Sequence, residues 1–228
     1  MEDGKKMNKL TILYEDNHVI VVVKPYNMLS QKDATNDESI MEYIKSYLKE
    51  KYHKPGDAYL GLVHRLDRPV GGVMVFAKTS KAASRLSKDF QNHHVTKKYL
   101  AIVKGKVEAK GHLEDYISKD DEGNAYLSKE GKKAILDFEL IEYNAKEDCS
   151  LVSIDLKTGR HHQIRIQFSS RGHALLGDQR YGEMDKKQIC LFSYFLSFNH
   201  PTTKELLEFS YLPKDEGPWK WFPKKNNL

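Results

Sequence analysis

An α+β fold on a mixed, mainly antiparallel β-sheet is what this sequence predicts. Two observations carry it. Short β-rich runs recur along the whole chain while helical spacing is confined to a few segments, and strands and helices do not alternate as they do in βαβ units. The 228 residues suffice for one core or two fused lobes. No linker, repeat or low-complexity tract divides them, so we expect one catalytic body over residues 10–212, with terminal extensions at 1–9 and 213–228.

Leu10–Tyr14 and His18–Val23 flank the turn residues Glu15-Asp16-Asn17 and predict a hairpin. Lys24-Pro25 ends it, because proline has no N–H for a ladder. From Glu38 to Tyr52, Ile40, Tyr43, Ile44, Tyr47 and Leu48 share one helical face. Pro55-Gly56 breaks that pattern. Leu60–Val63 and Val73–Ala77 read as buried strands around a polar insert, His64-Arg65-Leu66-Asp67-Arg68-Pro69. Thr79 or Ser80 caps a helix to about Asn92, with Ala82, Ala83, Leu86 and Phe90 inward. Tyr99–Val103, Leu113–Ile117, Ala134–Glu142 and Leu151–Leu156 follow as strands. Thr158-Gly159-Arg160 opens a third helix to about Ser170, stopped by Gly172. Strands at Leu191–Phe198 and Leu206–Tyr211 precede an irregular tail rich in Trp, Pro and Lys.

Bulk properties narrow the class only a little. A net charge of +5 permits an acidic partner such as RNA without demanding one. Cys149 and Cys190 lie in no zinc-like spacing and suggest two buried thiols in a reducing compartment. Met1–Leu10 is polar, and the longest apolar run, Val19–Val23, is far too short to span a bilayer. The expected location is the cytoplasm.

Charged residues between two core strands need a reason, which makes Asp67 the first candidate. Arg65 and Arg68 beside it favour the ionised form that a nucleophilic carboxylate requires. Read alone, it is more readily a turn carboxylate paired with a neighbouring arginine. Arg160, His161, His162, Gln163 and Arg165 form a second cluster, a cationic edge if the segment is helical. It suits phosphate or a carboxylate, or it is a solvated basic face. Adjacent histidines on a helix diverge, and no His-Glu-x-x-His pattern occurs, so no metal is expected. Gly71-Gly72 and Gly177-Asp178 are turns rather than phosphate cradles. The absence of Walker, Gly-x-Gly-x-x-Gly and Gly-x-Ser-x-Gly patterns disfavours nucleotide cofactors and serine hydrolysis.

Together these segments resemble the RluA-type pseudouridine synthases. Val23-Lys24-Pro25 is similar to the family's early Lys-Pro element, and His64-Arg65-Leu66-Asp67 with Gly72 to its catalytic motif. Lys97-Lys98-Tyr99-Leu100-Ala101 through Gly105 resembles its Lys-x-Tyr segment. Thr158-Gly159-Arg160-His161-His162-Gln163-Ile164-Arg165, continued by Gly172, Gly177-Asp178 and Tyr181-Gly182, resembles its third motif. Order and spacing agree from about Leu10 to Tyr211.

The resemblance implies an enzyme without cofactor or metal that isomerises RNA uridines in a cleft across the sheet. The target uridine is flipped out of its stack. Asp67 is then the nucleophile, acting on the ribose, on the uracil ring or through a glycal. Tyr99 stacks on the base and serves as the C5 base or its orienting group. Arg165 holds Asp67 ionised. Arg65 takes the space or the phosphate of the flipped base, and His64, Arg160, His162 and Gln163 join it in binding RNA. The family's usual residues differ at Val70-Gly71, Gln167 and Ala174, which bear on loop shape. Fewer than a dozen residues precede the first strand, so no S4 RNA-binding module is expected. The expected partner is a stem-loop of ribosomal or transfer RNA, read by a monomer with no membrane attachment. The tail, with Lys220, Lys224 and Lys225 among Trp219, Trp221 and Phe222, either adds phosphate and stacking contacts or packs on the core. The rival readings are an inactive RNA-binding protein on the same fold and a glycosidase, which would need a second carboxylate.

Overall fold

In a computed structural model, residues 10–35, 37–53, 55–184 and 187–228 are described. The first extension, residues 1–9, lies outside them. The opening hairpin forms as β1 (Thr11–Glu15) and β2 (Val19–Lys24), antiparallel, with Asp16 accepting the His18 and Val19 N–H groups in the turn. Helix α1 (Ile40–Lys51) starts at Ser39, whose hydroxyl accepts the Glu42 N–H, and buries Ile40, Ile44 and Leu48. Strand β3 (Gly61–Leu62) is shorter than its apolar run suggested, and β4 (Gly71–Ala77) is fully buried. Helix α2 (Ser80–Gln91) is capped by Thr79 and buries Ala82 and Leu86.

The long strands are β5 (Thr96–Lys104), β6 (Lys110–Lys119), β8 (Lys132–Asn144), β9 (Cys149–Leu156) and β10 (Leu191–Asn199). Two short ones are β7 (Ala125–Leu127), which has no strand signature of its own in the sequence, and β11 (Leu206–Ser210). All join one sheet in the order β1-β2-β4-β10-β5-β9-β8-β6-β7, with β3 on β4 and β11 on β10. Among the described residues β4 and β10 are the one parallel pair, so the sheet is mixed and mainly antiparallel. Gly72 makes that pairing possible: it holds φ +133°, and a Cβ there would meet the Ser193 carbonyl at 2.3 Å.

Period-two alternation sorts each strand between two cores. Ile20, Val22, Met74 and Phe76 face α1, while Val19, Val21, Val73 and Val75 face α2. The tail is not irregular: it forms two 3₁₀ turns over Gly217–Trp221 and Pro223–Asn227. Trp219 and Phe222 are buried against Leu100, Ile102 and Leu151, and Lys225 is fully buried in an ion pair with Asp215. That removes Trp219 and Phe222 as stacking platforms. Both cysteines are buried. No helix among the described residues is long and apolar enough to cross a membrane.

Candidate active site

The Asp67 insert is a short loop clamped from three sides. Ser30 donates to the Leu66 carbonyl and accepts the Leu66 N–H, at 2.8 and 3.1 Å. Gln188 donates to the Pro69 carbonyl at 2.6 Å. Lys24 is fully buried beneath, its ammonium shared among the carbonyls of Pro25, Met28 and Arg68 at 2.6–3.1 Å. Burial pulls Lys24 down to about 7, with the charge of Asp67 opposing. The sequence marked Lys24 as the end of a strand and part of a Lys-Pro element, with no role; here it fastens the loop that carries Asp67.

The second cluster departs from its expected geometry. Helix α3 runs only from Gln163 to Ser169, and His162 precedes it in the left-handed region, φ 51° and ψ 25°. Gln163 causes the delay. Its amide oxygen accepts the Thr158 hydroxyl and the Arg160 N–H, and its nitrogen donates to the Ile135 carbonyl, so residues 158–162 form a fixed turn. With these groups engaged inside, Gln163 holds the turn in place at the edge of the cleft. The turn also stacks the His161 and His162 rings at 3.7 Å, where helical spacing would have splayed them.

His162 and Arg165 converge on Asp67. His162 Nε2 and Arg165 Nη1 each lie 3.5 Å from its Oδ2. Arg165 is bound more tightly elsewhere: its Nε and Nη2 donate to Asp178 at 2.8 and 2.7 Å. Burial works to raise the Asp178 carboxyl, but Arg165 and the backbone N–H groups of Arg180 and Tyr181 hold it below its ordinary value. Tyr181 completes the frame. Its hydroxyl accepts the Ala125 N–H at 2.8 Å and meets His162 Nδ1 at 2.8 Å, leaving Nε2–H to face Asp67. Burial and neighbouring cations outweigh Asp67 and bring His162 down to about 4, so the ring is neutral. Neither Asp178 nor Tyr181 was given a role from sequence, where both entered as part of the stretch resembling the third motif.

Tyr99 lies on β5 opposite Ser193 and is buried. Burial first, and then the charge of Asp67, raise its hydroxyl above the ordinary value, while a hydrogen bond to Ser193 works the other way. It is therefore a phenol at neutral pH. His64 is spent on the fold: its Nε2 accepts the Val75 N–H at 3.1 Å and its ring stacks on Phe90 at 4.6 Å. Burial, assisted by Lys97, brings it down to about 3. Arg65 is exposed at the cleft rim, and Arg160 is half-buried there.

Asp67 stands on the wall between two cavities. One, of about 650 Å³, holds Tyr99, Arg65, Lys97 and Arg160. The other, of about 790 Å³, holds Arg68, Lys119, Arg180 and Lys187. Both have room for a nucleotide-sized ligand. Contrary to the spacing argument, three potential metal ligands do meet here: the donor atoms of Asp67, His161 and His162 lie within 4.8 Å of one another. The fit to a divalent ion is poor, because the Arg165 guanidinium occupies the same carboxylate oxygen and His161 Nε2 is engaged with the Gly123 carbonyl. Among the departures from the usual motif, Val70 is in the core and Gln167 is buried against Asp115 at 2.8 Å, so both serve packing.

Comparison with known proteins identifies the family and the fold. The RNA pseudouridylate synthase family matches residues 18–170. An uncharacterized RNA pseudouridine synthase of Aquifex aeolicus is 32% identical over 215 residues, 88% of this chain and 68% of its own. Ribosomal large subunit pseudouridine synthase D of Zymomonas mobilis is 31% identical over 224 residues, 90% of this chain and 70% of its own. Human RNA Pseudouridylate Synthase Domain Containing 4 shares the fold, with a TM-score of 0.74 at 21% identity over 90% of this chain and 89% of that one. This chain belongs to the RluA-type RNA pseudouridine synthases, enzymes that isomerise uridine in RNA to pseudouridine.

Proposed function

We propose that Asp67 is the nucleophile of this isomerisation and that the substrate is a structured element of ribosomal RNA. The observation that supports the first part most directly is the convergence of His162 Nε2 and Arg165 Nη1 on a single oxygen of Asp67. Two donors on one carboxylate oxygen hold the side chain in one orientation and favour its anionic form, while the other oxygen is left for the substrate. The target uridine leaves its stack and enters the cavity against Tyr99. Asp67 adds to the nucleoside, the bond from N1 to the ribose breaks, the uracil turns, C5 joins the ribose, and the bond to Asp67 is released. The C5 proton then departs. Tyr99, held as a phenol, orients the base and passes that proton on rather than acting as a standing phenolate.

The ribosomal assignment rests on the Zymomonas mobilis relative, whose name gives the large ribosomal subunit as its target. A stem-loop suits the site, since a loop uridine is already partly unstacked and costs less to extrude. The enzyme acts as a monomer in the cytoplasm on this reading. Tritium release from C5-labelled ribosomal RNA tests it. The wild-type chain should release tritium, and Asp67→Asn should release none while still binding RNA. Near-normal release by that variant would remove Asp67 from the chemistry.

A further inference from the structure

Lys97 stands two residues before Tyr99 on β5, so both side chains leave the same face of the strand, roughly 7 Å apart along it. Both line the smaller cavity. Lys98 between them points the other way, its ammonium over the Phe195 ring at 5.4 Å. The Lys97 ammonium makes no hydrogen bond or ion pair among the described residues. The carboxylate it feels most, Asp155, is itself paired with Lys157. Burial lowers Lys97 from its ordinary value, Asp155 opposes, and the neighbouring Arg160 lowers it further. A desolvated cation without a partner is a cost to the free protein that an anion would relieve.

The surroundings are arranged for such an anion. Gly159 faces the ammonium, and a Cβ there would stand 3.5 Å from Nζ, so the glycine leaves the approach open. Arg160 spends its Nε on the Lys133 carbonyl at 2.8 Å, which fixes the guanidinium and leaves its two terminal nitrogens uncommitted. Asp67 is the one acid lining this cavity among the described residues. The distance along the strand from Lys97 to Tyr99 is comparable to that from a nucleotide's phosphate to its base.

We propose that Lys97 and Arg160 form a phosphate subsite that holds one of the two phosphodiesters flanking the target uridine while its base lies on Tyr99. The subsite rests on the reading of Asp67 and Tyr99 given above, but it is tested by binding and so does not depend on turnover. Uridine, uridine 5′-monophosphate and uridine 3′-monophosphate are titrated calorimetrically against the wild-type chain. One monophosphate should bind about tenfold more tightly than uridine, as a charge-assisted contact implies. That preference should vanish in Lys97→Met, shrink in Arg160→Gln and persist in Lys98→Met, which removes the same charge from the opposite face. Because Lys97 has no partner to lose, Lys97→Met should melt at or above the wild-type temperature; a lysine that merely supported the fold would melt lower. In short RNA that the enzyme converts, a methylphosphonate at the relevant position should slow the wild type about tenfold and leave Lys97→Met unaffected. Equal affinity for uridine and both monophosphates in the wild type, or an undiminished preference in Lys97→Met, overturns the subsite. Near-normal tritium release by Asp67→Asn would count against the assignment of Asp67 and leave this titration intact.

Discussion

Asp178, not Asp67, is the principal partner of Arg165. Two bonds of 2.7 and 2.8 Å join them, whereas Asp67 receives only a 3.5 Å contact from the same guanidinium. Asp178 therefore aims the arginine, and the arginine in turn steadies Asp67 without being fully consumed by it.

Removing Arg165 should consequently cost stability as well as activity. Arg165→Met strands the buried Asp178, and breaking a buried pair from one side costs about 3–5 kcal/mol. The double variant Arg165→Met, Asp178→Leu should regain part of that stability in urea titrations and none of the turnover. Turnover restored together with stability would show that Arg165 acts on the fold alone.

Tyr99→Phe keeps the ring and removes the hydroxyl. RNA affinity should change little while product formation slows or stalls, seen as a gap between bond-breaking and C5 proton release in single-turnover assays. Wild-type kinetics would take the hydroxyl out of the mechanism.

Acid should destabilise the fold before it protonates the site. His162 titrates at about 4 and His64 at about 3, against 6.5 for an unfolded histidine. Between those values the unfolded chain binds the proton and the folded chain does not. Stability is therefore full above about pH 6.5 and falls as pH drops toward 4. At pH 5 each ring should account for about 2 kcal/mol of loss. Urea midpoints from pH 8 to 5 check this, and His162→Gln should flatten the slope.

Activity should survive exhaustive EDTA treatment when magnesium is supplied only to fold the RNA. The cluster of Asp67, His161 and His162 makes the experiment worthwhile, since a zinc requirement would mean that Arg165 yields its place to an ion.

Binding should weaken with salt, with a slope of about 0.7–0.9 log units per phosphate contact. A hairpin carrying the mapped uridine should react about as fast as the whole RNA. An inert hairpin beside a reactive ribosomal particle would place target choice in distant contacts.

Much of this was legible in the chain, and the exceptions have physical causes. Ile40, Ile44 and Leu48 announce α1 because their spacing is the burial pattern itself. Helix α3 begins later than Thr158 suggests because the Gln163 amide captures the preceding turn, a tertiary arrangement that propensity does not encode. The turn then brings His161 and His162 together, against the expectation for a helix. Asp178, Tyr181 and Lys24 went unassigned because their partners lie far along the chain or are backbone carbonyls, which carry no sequence signature. Trp219 and Phe222 read as exposed or buried with equal ease, and only the underside of β5 and β9 decides it.

Strand β10 lies between β4 and β5, and it is the seam through which the first four strands and the middle five become one sheet. Asp67 belongs to the first group, while Tyr99, His162 and Arg165 belong to the second. A ribosome making this protein must therefore pass Ser193 before β4 can pair with β10. By then the growing chain already carries Asp67, Tyr99, His162 and Arg165, on strands and loops that still lack their shared neighbour. The two groups of strands are bridged by a single strand made late in the chain.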